Sequence, residues 1–269
     1  MKSSIRQGTA AILAIVGVWT ALSGQTVQAA PEGHEAWIEL ELQGLPPTVN
    51  WFVHSSQGDS IGTNANVTDV LGLDTQQRFF WPKATLHFAD RHHLSISNLD
   101  LQNAGANTLK TPITFGGTSF ILPDTIHSQL EFKEIIAGYQ YDFLKFSGFS
   151  ANLNLQVHYL DIHGEVQSEM LGTAKVDFQA PVPTIGGGIQ LWQTDWLKVN
   201  TGFNIFKMDV SGFKGEMIDT QGAVTISPWD WLGISAGYRY FRIIVLDPSS
   251  EDRTDWLQKG PYLAIVGRF

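Results

Sequence analysis

Alternation with a period of two, held over about ten residues and repeated along the chain, limits this sequence more than any other feature. In "FSANLNLQVHYL" (149–160), Phe149, Ala151, Leu153, Leu155, Val157 and Tyr159 fall on one face, with Ser150, Asn152, Asn154, Gln156 and His158 on the other. Side chains of a strand point alternately to its two sides, so this spacing describes a strand with one apolar and one polar face. "WLKVNTGFNIF" sets Leu197, Val199, Phe203 and Ile205 against Lys198, Asn200, Gly202 and Asn204. "FWPKATLHF" opposes Phe80, Ala84, Leu86 and Phe88 to Lys83, Thr85 and His87, and "LGISAGYRY" repeats the pattern with Arg239 on its polar side. The chain closes on "GPYLAIVGRF", where Leu263, Ile265, Gly267 and Phe269 share a face opposite Tyr262, Ala264, Val266 and Arg268.

A half-buried sheet in water also alternates. Three features select a membrane barrel instead. The alternating stretches have the length of a tilted spanning strand. Their polar face carries long and ionisable side chains, as a lumen does. Aromatic residues gather at strand ends, in "FFW" (79–81), "QTDW" (193–196) and "SPWDW" (227–231), where a membrane interface would lie. The composition agrees, with 16% charged residues, 12% aromatics and 26 glycines. A net charge of −9 argues against nucleic acid as a partner, and the absence of cysteine removes disulfides as a source of stability.

The start of the chain has the three parts of a secretory leader. Lys2 and Arg6 precede an apolar run from Ala10 to Leu22, and "VQA" supplies a small-residue cleavage site before Ala30. The run falls short of the roughly 20 residues a spanning helix needs. Residues 1–29 are therefore read as a signal peptide and 30–269 as one outer-membrane barrel domain. The expected fold class is all-β: a single antiparallel transmembrane β-barrel of about ten strands, within a range of eight to twelve. The strands are placed near 35–43, 78–89, 92–102, 127–142, 148–161, 175–192, 196–208, 215–226, 231–243 and 257–269. Short turns at 89–93, 143–148, 193–196 and 228–231 lie at one end, and longer links around 44–77, 103–125, 161–174 and 246–256 at the other. "VNWFVHS" (49–55) also alternates; an even strand count leaves it as a loop or an extension of 35–43.

Taken together, the leader, the alternating strands and the terminal aromatic strand resemble the small outer-membrane β-barrel proteins of Gram-negative bacteria, the OmpA/OmpW-like superfamily. "DVLGLD" (69–74) and "YQYDF" (139–143) carry the same resemblance. It implies an outer-membrane location, surrounding lipid as a partner, and a C-terminal signal read by the barrel-assembly machinery, here Phe269 with Ile265 and Leu263. It does not fix a function, because one fold hosts many.

The expected lumen network is Lys83, His87, Glu131, Lys133, Asp142, His158, Lys198, Asp219, Arg239 and Arg268. Both signs are present, so mutual pairing in a largely filled lumen is the economical reading, with a narrow, porin-like passage for small solutes as the other. An enzymatic alternative rests on "LDIHGE", where Asp161 and His163 share a strand face near the outer rim, the kind of pair that ten-stranded outer-membrane proteases carry. Lipid-trimming barrel esterases use His and Ser on the outer wall; His93 and Ser95 share a face here, but the inward one. No phosphate loop or nucleophile elbow is present, and the adjacent His92 and His93 point to opposite faces, so neither cofactor nor metal is expected. The link 103–125 offers an external contact surface, with a hairpin turning at Gly116–Gly117.

Overall fold

The computed structural model describes residues 36–44, 47–54, 65–73, 75–109, 113–115, 118–120, 124–168, 170–191, 194, 196–210, 213–247 and 252–269. The leader assignment lies outside them. Ten long strands form a closed antiparallel barrel: β1 (Ala36–Gly44), β4 (Thr75–Phe88), β5 (His92–Thr108), β8 (Thr125–Phe146), β9 (Phe149–Ser168), β10 (Gly172–Leu191), β11 (Leu197–Val210), β12 (Phe213–Trp229), β13 (Leu232–Asp247) and β14 (Asp252–Arg268). Each pairs with its sequence neighbour in the ring, and β1 closes the circle against β14, with Glu39 opposite Arg268. The last residue takes part in that closure. Ile38 and Phe269 exchange backbone hydrogen bonds of 2.9 Å in both directions.

β2 (Thr48–His54) continues along β14 above β1, placing Trp51 opposite Trp256. Ala36–Gly44 and Thr48–His54 are thus successive parts of one wall position, and the ring stays even. β3 (Ala65–Asn66) pairs with β2 and leads into a short helix, Val67–Val70. The chain then crosses β5 at Gly105, where an added Cβ would meet the Gly72 carbonyl oxygen at 1.5 Å. Gly72 itself sits at φ +64°, a conformation that suits glycine.

The strands are longer than the sequence reading placed them, nearly all at the end away from Ala36 and Phe269. The supposed links 161–174 and 246–256 are mostly strand: β9 runs to Ser168 and β10 starts at Gly172, while β13 runs to Asp247 and β14 starts at Asp252. The reason lies in a change of phase along each strand. On β9 the outward residues from Ala151 to Tyr159 are apolar, and then come Asp161, His163, Glu165 and Gln167. The inward residues reverse in step, from Ser150, Asn152, Asn154 and His158 to Leu160, Ile162 and Val166. β8 repeats this: outward His127, Gln129, Glu131 and Lys133 give way to Ile135, Ala137 and Tyr139, while inward Ile126, Leu130 and Phe132 give way to Glu134 and Asp142.

The barrel therefore has two storeys. The lower has an apolar exterior and a polar interior. At about 3.3 Å per residue and a tilt near 40°, the nine residues of the apolar stretch on β9 cover roughly 20–25 Å, the height of a bilayer-facing band. The upper storey has a polar exterior and a dry core of Leu99, Leu101, Leu130, Phe132, Leu160, Phe241 and Trp256. Leu71, Leu73, Leu109 and Phe120 join that core from the two long links. Each such side chain, once buried, contributes about 1.5–3 kcal/mol. Aromatic side chains ring the lower end, with Phe146, Trp196, Trp229 and Trp231 exposed.

In the link 103–125, β6 (Ile113–Phe115) pairs with β7 (Thr118–Phe120), Phe115 opposite Thr118; the expected turn at Gly116–Gly117 lies outside the described residues. Strand β7 ends on the fully buried Phe120, so the base of this pair is anchored in the upper core instead of standing free.

Candidate functional site

The lumen is organised in layers. Near the lower end, Glu39 on β1 faces Arg268 on the adjoining β14 at 3.4 Å and Lys198 on β11 at 3.9 Å. Glu41 lies next above it, 3.9 Å from Lys83. Across the lumen floor His87 is stacked on Trp37 at 3.7 Å, and its Nδ1 is 2.7 Å from that of His93. His93 in turn stands 3.2 Å from the Asp142 carboxylate. Between the layers lie two adjoining cavities of about 110 and 100 Å³, both bordered by Lys83, His93, Asn154 and Gln221. Buried acceptors without a protein partner, among them Asn152 Oδ1, Asn204 Oδ1 and Gln43 Oε1, mark this as space for water.

Where the two storeys meet, a buried cluster closes the lumen. Arg239 on β13 donates from Nε to Asp219 Oδ1 at 2.9 Å and from Nη2 to Asp219 Oδ2 at 2.7 Å. The same Nη2 reaches Glu134 Oε2 at 3.0 Å. Glu134 also meets His158 Nδ1 at 2.7 Å, and neither Glu134 nor His158 exposes any side-chain surface. In the ring of ten, β8 and β13 are five places apart in either direction. The Arg239–Glu134 bond therefore spans the barrel's diameter. The guanidinium lies 4.7 Å from the ring centres of both Trp81 and Phe241, so aromatic faces cover what the carboxylates leave. Directly above begins the dry core, where Phe132 stacks on Trp256 at 5.1 Å.

Of the expected lumen residues, Lys83, His87, Asp142, His158, Lys198, Asp219, Arg239 and Arg268 point inward. Glu131 and Lys133 do not. They stand on the outer wall of the upper storey, 3.3 Å from each other, because the phase of β8 has already reversed there. The acids that complete the lumen are Glu39, Glu41 and Glu134. Among the described inward residues, Glu39, Glu41, Glu134, Asp142 and Asp219 face Lys83, Lys198, Arg239 and Arg268. The near balance explains the dense pairing. Among the described residues no group of three or more His, Asp or Glu side chains is arranged to hold a metal.

Asp161 and His163 share the outer wall of β9, not a loop at the rim. The His163 ring bonds to Asp177 on β10, with Nδ1 2.5 Å from Oδ1, and Asp161 stands opposite Gln179 and Lys133 in the two neighbouring strands. His93 and Ser95 face the lumen. Leu263 and Ile265 face outward on β14, both at least half exposed, and the Phe269 ring lies over Gly267.

On the outer wall of the upper storey, Arg242 bonds to Asp255 through Nε to Oδ1 at 2.8 Å and through Nη2 to Oδ2. This hydrogen bond holds the Asp255 carboxyl below its usual pKa, with burial working against it. A depressed carboxylate pKa stabilises the fold above the unfolded-state value, near 4, and that contribution is lost as pH falls through the folded value. Protection factors of amides in the upper β13–β14 hairpin, with the intrinsic pH dependence divided out, are expected to fall as pH is lowered from 5 to 3, and Asp255→Asn to flatten that dependence.

Neither a protein-family model nor a curated protein sequence matches the chain. Among solved structures, the barrel is similar to the outer membrane protease OmpT from Escherichia coli at 8% identity, over 91% of this chain and 99% of that one, with a TM-score of 0.55. Weaker similarity, at TM-scores of 0.37 and 0.38, extends to the attachment invasion locus protein Ail of Yersinia pestis (10% identity, 87% of this chain and 97% of that one) and to the translocator domain of the autotransporter NalP from Neisseria meningitidis (8% identity, 97% of each). At such identities the likeness concerns architecture, and the architecture is that of a small outer-membrane β-barrel.

Proposed function

We propose that this chain is a Gram-negative outer-membrane barrel with a blind polar lumen, serving a structural or interaction role and not acting as an open channel or an enzyme. The observation that carries this reading is the Arg239–Glu134 bond across the barrel, with a dry aromatic core stacked on top of it. A path for solute would need both to move. Breaking a buried ion pair of this kind costs several kcal/mol, and above it Leu101, Phe132, Leu160 and Phe241 are fully buried. The C-terminal strand, with Leu263, Ile265 and Phe269 on its lipid-facing side, fits delivery by the barrel-assembly machinery. Link 103–125 is the proposed site of contact with an external or neighbouring outer-membrane protein.

Refolded protein that migrates in a heat-modifiable form is expected to give no discrete current steps in planar bilayers. Reproducible openings would overturn the blind-lumen reading. A second reading, a surface hydrolase, draws on the contact between His163 and Asp177 and on the protease activity named for the fold neighbour. Loss of a measured hydrolytic activity in His163→Ala, with folding intact, would establish it.

A further inference from the structure

On one side the barrel wall is interrupted just above the apolar belt. β10 and β11 pair from Leu191 opposite Val199 up to Ile185 opposite Ile205, and no pairing of described residues joins them beyond that point. Yet β10 runs on against β9 from Thr184 to Gly172, and β11 against β12 from Phe206 to Val210. The cause is in the sequence. Continued in register, Pro183 would stand opposite Lys207 and Pro181 opposite Asp209. Residues two apart on a strand direct their N–H groups to the same edge, and proline has none. The ladder with β9 passes unbroken through both prolines, so the missing donors are those that would have faced β11. The wall cannot zip there.

The two lips of this seam are apolar. Val176, Val182 and Phe206 lean against the upper core, while Phe178 and Met208, inward by phase, remain 42% and 41% exposed. Strand β6 approaches β10 as well, but it leaves Phe178 uncovered. At its lower end the seam opens onto Ile185 and Ile205, outward residues of the belt that are 59% and 47% exposed. A polypeptide strand is a poor occupant, because two of the donors it would pair with are absent. An aliphatic chain needs none.

We infer that the seam holds an acyl chain of a surrounding membrane lipid, rising from the belt into the groove between Phe178, Val182, Phe206 and Met208. The inference rests on the bilayer reading of the lower storey, and its test separates the two. The chain has no cysteine, so single cysteines carry a unique fluorophore. Ile205→Cys, Met208→Cys and Asp209→Cys, labelled and placed in phosphatidylcholine vesicles brominated on the acyl chains, report contact with lipid tails. Met208 and Asp209 are at nearly the same height on opposite faces. The expected result is strong loss of fluorescence at Ile205, a comparable loss at Met208 and little at Asp209. Quenching at Ile205 with none at Met208 beyond that at Asp209 would overturn the seam. No quenching at Ile205 would overturn the bilayer placement and the seam with it. Pro181→Val with Pro183→Val restores both donors and is expected to lower quenching at Met208 alone; quenching that persists there would overturn the proline-held opening.

Discussion

Arg239→Leu is expected to destabilise the folded barrel by about 3–5 kcal/mol, the range for removing one partner from a buried charge cluster. The size of the effect comes from what remains. Glu134 and Asp219 would be left as two buried carboxylates without their cation, one of them bonded only to His158. Two aromatic rings would also lose the guanidinium packed between them. Leucine keeps much of the volume, so the loss is electrostatic more than steric. The triple variant Arg239→Leu, Glu134→Gln, Asp219→Asn removes the stranded charges and is expected to recover most of the stability. Urea unfolding in detergent micelles, followed by Trp fluorescence, reads both. Equal stability of the single variant and the parent would mean that the strut does not hold the barrel.

The second large effect concerns the outer wall. Leu155→Arg places a cation in the middle of the apolar stretch of β9 and is expected to cost about 2–4 kcal/mol, as a charge near the bilayer midplane does. Gln167→Arg adds the same charge to the same strand face, twelve residues higher, where the wall is polar. It is expected to change stability by no more than about 0.5 kcal/mol. Neither substitution touches the lumen, so the contrast isolates what surrounds the two storeys. Lipid-vesicle unfolding titrations of the pair provide the comparison.

Much of this organisation is legible in the sequence, and the parts that are not share one cause. Strand existence, the terminal strand in "GPYLAIVGRF" included, follows from alternation, because apolar surroundings outside and polar groups inside impose opposite demands on successive residues; that this strand closes the ring against β1 shows only in the structure. The rule "apolar out" holds only within the belt. At Tyr159–Leu160 on β9 and Glu134–Ile135 on β8 the phase slips, and above it the apolar residue is the inward one. Read with the belt rule, Glu131 and Lys133 go to the wrong side, and 161–168 is taken for a polar link although it still alternates. Glu134, next to Lys133, is misplaced with that pair, and nothing local corrects it. Its partner lies 105 residues away across the barrel, a distance at which no local spacing carries a signal. The prolines at 181 and 183 were visible throughout, but only the register with β11 shows which edge they strip.

In the proposed bilayer placement, β9 passes from lipid into water while its inner face passes from polar to dry. A spin label moved along the outward residues of β9 in bilayers tests it directly, through relative collision rates with oxygen and with a water-soluble nickel chelate. Positions 151, 153, 155, 157 and 159 are expected to favour oxygen, and 161, 163, 165 and 167 the nickel complex, with a single crossover between Tyr159 and Asp161. Oxygen preference extending to 167, or a nickel preference reaching down to 153, would contradict it.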